Sequence, residues 1–220
     1  MGKIKKLSEL LTDIVIFIVL YIVIQIPSVS EIYIGHEANY NFNWLLHFSL
    51  MTIGCAIAFY LVFNFYKKVN IAQKKLANYK KLFFQSLIIT VIICLTEMLI
   101  AMTTGYNAGQ TEFLIEMIKT SPLAVFIILE NIIIAPVLEE ILFRGILQSG
   151  FFKKINPVVN IFLTAFIFAL LHSGQIDWGT AENFALGIGL GISCFYSNSV
   201  IPPIAIHMIN NLLAILLGFL

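Results

Sequence analysis

Long apolar runs alternate with short polar stretches along the whole chain. Most are close to the length that a helix needs to cross the apolar core of a bilayer, about 20 residues. None is a ten-residue strand that alternates apolar with polar positions, as a membrane β-barrel requires. We therefore predict an all-α, polytopic transmembrane bundle of about seven spans: Leu10–Ile26, Trp44–Tyr66, Leu82–Met102, Leu123–Leu147, Val158–His172, Phe184–Tyr196 and Ile204–Leu220.

Composition supports a membrane protein and excludes several other classes. Of 220 residues, 60% are hydrophobic and 11% are charged, whereas a soluble domain carries about 25% charged residues. A net charge of +1 gives no basic surplus for binding nucleic acid. The cysteines Cys55, Cys94 and Cys194 all lie in apolar runs, which argues against a disulfide framework. We expect one integral-membrane domain, 1–220, with the first three spans in 10–122 and a functional core in 123–220.

The basic residues predict the orientation of the chain in the cell membrane. With a cytoplasmic N-terminus, twelve of the thirteen fall in inner loops, and Lys119 alone lies outside. We expect the first run to be an uncleaved signal anchor, with a cleaved signal peptide as the alternative. High Ile, Lys and Asn usage with a single arginine indicates an AT-rich, bacterial genome. The twelve inner residues are Lys3, Lys5, Lys6, Lys67, Lys68, Lys74, Lys75, Lys80, Lys81, Arg144, Lys153 and Lys154.

The fourth run carries charged residues at positions where a span is otherwise apolar. Ionisable groups inside a membrane are costly and are therefore functional candidates. Glu140 and Arg144 are four residues apart and share one helix face, where a planar guanidinium is able to hold a carboxylate with two hydrogen bonds. Glu139 points to another side, so it is freer to act as a general base. Pro136 should bend the helix just before the acids. A purely structural ion-pair clamp between helices is the alternative.

Two later runs add further polar side chains. His172 ends the fifth run, and a histidine there is, taken alone, more often a packing residue than a catalyst. His207 and Asn211 lie four residues apart in the seventh run, so an imidazole and a carboxamide share one face. Both are able to donate hydrogen bonds, which a developing oxyanion needs. Together with Glu139, these residues predict an active site between the fourth, fifth and seventh runs.

Three motifs, in this order, resemble those of the CAAX-protease and bacteriocin-processing family of intramembrane endopeptidases, also called Abi. The resemblance covers about 123–220 and implies hydrolysis of a peptide bond at or within the membrane. It implies that Glu139 and His172 activate water. It also implies that His207 and Asn211 stabilise the oxyanion. The motifs are Glu139-Glu140-x-x-x-Arg144, Phe168-x-x-x-His172 and His207-x-x-x-Asn211.

The resemblance leaves the metal requirement and the class of protein open. We expect no cofactor; the alternative is Zn²⁺ held by Glu139, His172 and His207, whose side chains are zinc ligands. Asn211 is a poor zinc ligand, so the third motif suits an oxyanion site better. The implied partners are membrane lipids and a peptide or protein substrate with a membrane-proximal cleavage site. A non-enzymatic immunity or scaffold protein and a transporter are the rival classes, although no inverted repeat favours transport.

Two details of the predicted bundle bear on the site. Threading the runs through a bilayer puts Glu139 and His172 at depths that differ by about 10–15 Å, at a rise of 1.5 Å per residue. Closing this gap requires helix tilt with a longer fourth helix, or a later segment that does not span. The acid Glu130 and its neighbour Asn131 are expected to form hydrogen bonds between helices, with a role in lining a substrate path as the alternative.

Overall fold

The computed structural model describes residues 2–29, 44–69, 79–104 and 109–219, and the structural statements below refer to these residues. They are helical with no strand, which confirms the all-α prediction. The helices are α1 (Gly2–Ile24), α2 (Trp44–Val69), α3 (Tyr79–Thr104), α4 (Gly109–Thr120), α5 (four consecutive segments, Ala124–Leu129, Glu130–Ile134, Ala135–Glu140 and Ile141–Phe151), α6 (Pro157–Ser173), α7 (Trp178–Ser197) and α8 (Ile201–Gly218).

Several of these helices have the length and surface of membrane spans. By length and composition alone, Leu45–Val69, Phe84–Thr104 and Ile201–Gly218 are able to cross a bilayer, and Pro157–Ser173 is a shorter apolar helix. Only 11% of the Phe84–Thr104 span is buried, so most of its apolar surface faces outward, as contact with lipid requires. The described helices overlie all seven predicted runs. The chain is thus a helical membrane protein, and the count of seven spans stays a prediction.

One helix begins earlier than the sequence predicts, and another helix was not predicted. The sixth predicted run begins at Phe184, whereas α7 begins at Trp178. Helix α7 begins here because Asp177 and Thr180 form a capping box. The Asp177 side chain accepts a hydrogen bond from the Thr180 N–H, and the Thr180 hydroxyl accepts one from the Asp177 N–H. The hydrogen bond from the Thr180 N–H also lowers the pKa of Asp177. The sequence did not predict α4, whose amphipathic chain is too short to cross a membrane.

Helix α5 is continuous but contains two π-helical segments, Glu130–Ile134 and Ile141–Phe151. In the first, the Ala135 N–H bonds the Glu130 carbonyl five residues back. The next donor in this register would be the N–H of residue 136, which is a proline and has none. Because Pro136 has no N–H, the Asn131 carbonyl lacks a main-chain donor in this register. It needs a hydrogen-bond donor from elsewhere in the protein. Wide helical turns of this kind are frequent at functional sites.

Glycines on α7 allow it to pack closely on α6. A Cβ added at Gly187 would lie 3.0 Å from the Ala165 Cα, and one at Gly191 would lie 3.0 Å from the Ile161 Cγ2. This glycine pair, four residues apart, therefore permits the close approach of the two helices. The main hydrophobic core joins the two predicted parts of the chain, and includes Leu20, Ala58, Val62, Leu142, Phe143, Phe168, Leu190 and Ile206.

Candidate active site

Side chains from α5, α6 and α8 meet at one cluster, as the motifs predict. His172 Nε2 lies 3.2 Å from Glu139 Oε2, and His207 Nε2 lies 3.8 Å from the same oxygen. Of the two expected ways to close the gap in depth between Glu139 and His172, the structure has the longer fourth helix, because α5 continues past Leu147 to Phe151. The chain then turns back into α6, and the two side chains reach the same level, where they are in contact.

The contact between His172 and Glu139 requires a shared proton. His172 Nδ1 lies 2.9 Å from the Phe168 carbonyl oxygen, which only accepts hydrogen bonds, so Nδ1 carries a hydrogen. In a neutral ring, Nε2 then has none. A carboxylate oxygen 3.2 Å away is also an acceptor, so one proton must belong to the pair, on Nε2 or on Glu139. This pair therefore combines a base with a proton donor.

Glu140, Arg144 and His207 form a second, fully buried layer beside that pair. Glu140 Oε1 accepts from Arg144 Nη1 at 3.1 Å and from His207 Nδ1 at 3.1 Å. The predicted Glu140–Arg144 ion pair is therefore present. Its predicted two-bond geometry is wrong, because Glu140 Oε2 has no hydrogen-bond partner among the described residues. Glu140 accepts both hydrogen bonds with the same oxygen. The bond from His207 fixes the orientation of the His207 ring.

The second terminal nitrogen of Arg144 forms a hydrogen bond with another helix. Its Nη2 donates to the Gly187 carbonyl on α7 at 3.1 Å, and its guanidinium carbon lies 4.6 Å from the centre of the Phe168 ring. Such a position over an aromatic face is favourable for a cation. The same ring lies 3.9 Å from the His172 ring, centre to centre. Arg144 and Phe168 thus connect the buried layer to the Glu139–His172 pair.

The charges of Glu139, Glu140 and Arg144 balance only with one further proton. Glu139 and Glu140 contribute two negative charges and Arg144 one positive charge, and Glu140 and Arg144 are both 0% exposed. Buried charge is costly unless it is compensated. The proton that the Glu139–His172 geometry already requires supplies the missing positive charge. With that proton, Glu139, Glu140, Arg144 and His172 together carry no net charge.

Asn211 forms a hydrogen bond with the main chain of α5. Its Nδ2 donates to the Asn131 carbonyl at 2.8 Å. This carbonyl is the group that the π-helical register and Pro136 leave without a main-chain donor. The Asn131 side chain was expected to form a hydrogen bond with another helix. It donates to the Ile127 carbonyl within its own helix. Asn211 therefore ties α8 to α5, and one of its two amide hydrogens is committed to that bond.

The residues of the alternative zinc set lie close together. Nε2 of His172 and Nε2 of His207 lie 3.2 and 3.8 Å from the same oxygen of Glu139. Within the ranges that the structure describes, no group of three or more His, Cys, Asp or Glu side chains is arranged to hold a metal ion. Zn²⁺ held by Glu139, His172 and His207 stays an alternative prediction.

Sequence reasoning assigned no role to two groups that complete the site. The first is the Phe168 ring, although Phe168 begins the second motif, one turn before His172. The second is the Gly187 carbonyl, which belongs to the glycine pair of α7 but gives no sign in the sequence of accepting a bond from Arg144. All three cysteines are free, which confirms the absence of a disulfide.

Residues 121–213 match the family model described as Rce1-like, "Type II CAAX prenyl endopeptidase Rce1-like". Over these residues the chain is similar to the CAAX-protease family. The match spans somewhat under half of the chain and contains all three motifs, from Glu139 to Asn211. No curated protein and no solved structure matches the chain. The matched segment comprises α5 to most of α8, whereas α1, α2 and α3 lie outside it and still contribute residues to its hydrophobic core.

Proposed function

We propose that the protein is an intramembrane endopeptidase that hydrolyses a peptide bond at or within the membrane with water activated by Glu139 and His172. The observation that carries this proposal is their 3.2 Å contact, with 15% of the Glu139 side chain and 25% of the His172 side chain exposed. Beneath them, Glu140 and Arg144 are completely buried. A partly exposed reactive pair beside a buried charged layer suits hydrolysis, and the match to a protease family supports it.

The proposed reaction uses the proton that the pair shares. With that proton on His172, Glu139 is a carboxylate and takes a proton from water as the water oxygen attacks the carbonyl carbon. His172 gives its Nε2 proton to the departing nitrogen as the C–N bond breaks, and regains a proton from Glu139. Water and the peptide bond are thus converted into a carboxylic acid and an amine, and the site returns to its starting protonation.

We assign stabilisation of the oxyanion to His207 and Asn211. Asn211 retains one amide hydrogen beyond the one that it donates to Asn131. His207 faces Glu139 through Nε2, 3.8 Å away. Because its Nδ1–H donates to Glu140, donation from Nε2 requires a protonated ring, whose charge would offset that of the oxyanion. Glu140 and Arg144 act through His207 in this scheme and do not touch the substrate.

The proposed substrate is a peptide or protein whose cleavage site lies next to a membrane segment, and lipids are the other partners. Nucleic acid has no role in the proposal. We also propose a cytoplasmic N-terminus and a bacterial cell membrane, from the lysine distribution and the composition. The reaction as written needs no cofactor, and a zinc-dependent form of the same protease is the alternative that chelation tests.

Peptidomics of membranes tests the function directly. Cells expressing the wild type, Glu139→Gln or Glu116→Gln are compared; Glu116 is an exposed glutamate of α4 and provides the matched control. We expect peptides with new membrane-proximal termini from the wild type and the control, and none from Glu139→Gln. Identical products from all three would contradict the proposal. A biological effect that persists in Glu139→Gln would instead favour an immunity or scaffold protein.

Purified protein tests the same activity in isolation. Two internally quenched reporter peptides are used, one farnesylated with a C-terminal CAAX sequence and one apolar and unlipidated. We expect the wild type in liposomes to cleave at least one of them, and Glu139→Gln to cleave neither. Equal cleavage by the wild type and Glu139→Gln would show that a contaminating peptidase is responsible.

A further inference from the structure

Helix α1 packs directly on the candidate active site, although it lies outside the segment that matches the protease family. Phe17 meets Phe143 edge-on, with ring centres 5.6 Å apart and an angle of 74° between the planes. Phe143 in turn packs on Phe168 at 5.2 Å and on the His172 ring at 6.4 Å. One face of α1 is therefore in contact with the aromatic side chains that surround His172.

Tyr21 lies one helical turn after Phe17 and reaches the same site with a polar group. Its hydroxyl donates to the Leu171 carbonyl at 3.1 Å. Leu171 precedes His172 in the last turn of α6, where carbonyls have no partner within the helix. Gly174 continues the chain in a left-handed conformation, with φ of 65°, and its N–H donates a hydrogen bond to the Leu170 carbonyl. The Leu171 carbonyl is thus satisfied from another helix.

The Tyr21 hydroxyl also belongs to the electrostatic surroundings of the catalytic carboxylate. It lies close enough to Glu139 for the charge of that group to act on it. Tyr21 therefore joins α1 to both members of the pair, through the backbone beside His172 and through the field of Glu139. Gly174 ends α6 two residues after His172, so a bond at Leu171 acts on the last turn of the helix, beside the ring that must stay aligned.

We propose that Tyr21 is a positioning residue of the active site, which holds the last turn of α6 so that His172 Nε2 stays directed at Glu139. This inference rests on the proposed function and extends the site to a helix that the family match does not include. It implies that the N-terminal helix is required for turnover, beyond any part that it has in membrane insertion.

Enzyme kinetics with the reporter peptides test this role. In Tyr21→Phe the ring remains and the hydroxyl is lost. We expect kcat to fall about tenfold, as for the loss of one hydrogen bond, with KM unchanged and the pH–rate profile shifted. Tyr60→Phe is the matched control, because Tyr60 is 69% exposed on α2. Wild-type kcat and an unchanged pH profile in Tyr21→Phe would overturn the proposal.

A second measurement is independent of activity. ¹⁵N-histidine NMR in detergent reports the protonation and tautomer of each ring, and the His172 signals are those missing in His172→Gln. We expect Tyr21→Phe to shift these signals and Tyr60→Phe to leave them unchanged. Unshifted His172 signals would contradict the inference. If the wild type cleaves no reporter peptide, the proposed function fails, whereas this measurement still decides the position of His172.

A further variant guards against a folding defect. Tyr21→Trp keeps an N–H donor on an aromatic ring at a half-buried position. We expect it to retain the wild-type His172 signals and more of the wild-type kcat than Tyr21→Phe does. If Tyr21→Phe does not fold, a folded Tyr21→Trp protein with wild-type signals supports the proposal. A folded Tyr21→Trp protein with shifted His172 signals contradicts it.

Discussion

Glu139 and His172 approach to 3.2 Å across two helices, α5 and α6, and the Nδ1 nitrogen of His172 is already committed to the Phe168 carbonyl. This arrangement fixes the tautomer of the ring and forces one proton into the contact. It also determines how the two residues divide the work, since a carboxylate that faces a protonated imidazole is able to accept a proton while its partner donates one. Neither residue has this property without the other.

Single substitutions of this pair should therefore abolish most of the turnover. We expect Glu139→Gln and His172→Ala each to lower kcat by about 100-fold or more on the reporter peptides, because each removes one half of the proton transfer. The double variant should lose little beyond either single variant, since residues that act as a unit give non-additive losses. Steady-state kinetics in liposomes measures all three.

Glu116→Gln serves as the control for this series, since it changes an exposed carboxylate away from the site. A double variant that loses the product of the two single effects would show that the residues act independently. Near-normal turnover in either single variant would remove that residue from the mechanism.

The sequence predicted the members of the cluster better than their contacts. Spacing of four residues correctly paired Glu140 with Arg144, and the ordered motifs brought Glu139, His172 and His207 together. The partner of Asn211 was not predictable, because it depends on a π-helical register that helical periodicity at 3.6 residues per turn does not describe. The position of Tyr21 depends on the packing of helices far apart in the chain, which local patterns do not encode.

Replacement of Arg144 should cost stability as well as activity. Removing one partner of a buried ion pair costs about 3–5 kcal/mol, so we expect Arg144→Ala to melt at a lower temperature in detergent. Arg144→Lys should retain only part of the wild-type stability and activity. A single ammonium does not reproduce the planar guanidinium, which reaches both Glu140 and the Gly187 carbonyl. Lys153→Ala, at an exposed position, is the control. Unchanged melting of Arg144→Ala would show that this pair does not stabilise the fold.

The glycines of α7 should differ in their tolerance of a methyl group. A Cβ at Gly187 would meet the backbone of Ala165 at 3.0 Å, whereas one at Gly189 would meet the tip of the flexible Ile93 side chain. We expect Gly187→Ala to destabilise the protein by about 1–3 kcal/mol and to lower activity, because it moves the carbonyl that holds Arg144. Gly189→Ala, the matched control, should change melting in detergent much less. Equal effects of the two substitutions would contradict the close packing of α6 and α7.

Asn211 has two proposed roles that a double-mutant cycle separates. Asn211→Ala leaves the Asn131 carbonyl without its donor, which should cost about 1 kcal/mol of stability. Pro136→Ala restores a backbone N–H nearby, so we expect Asn211→Ala to cost less stability in that background. The loss of kcat should persist, because the restored N–H does not reach the oxyanion. Leu216→Ala, on an exposed part of α8, is the control. Recovery of both stability and kcat would make Asn211 purely structural.

The last prediction concerns metal. Glu139 Oε2 lies 3.2 Å from His172 Nε2 and 3.8 Å from His207 Nε2, and the proposed proton transfers are complete without an ion. We therefore expect purified protein to contain far less than one zinc per chain, and to keep its turnover after dialysis against a strong chelator. Metal analysis and kinetics on the same sample provide the measurement, with Glu139→Ala as the background for contaminating peptidases. One tightly bound zinc per chain, lost together with activity and restored by zinc alone, would replace this mechanism with the metal-dependent one, in which Glu139 and the two histidines would hold the ion.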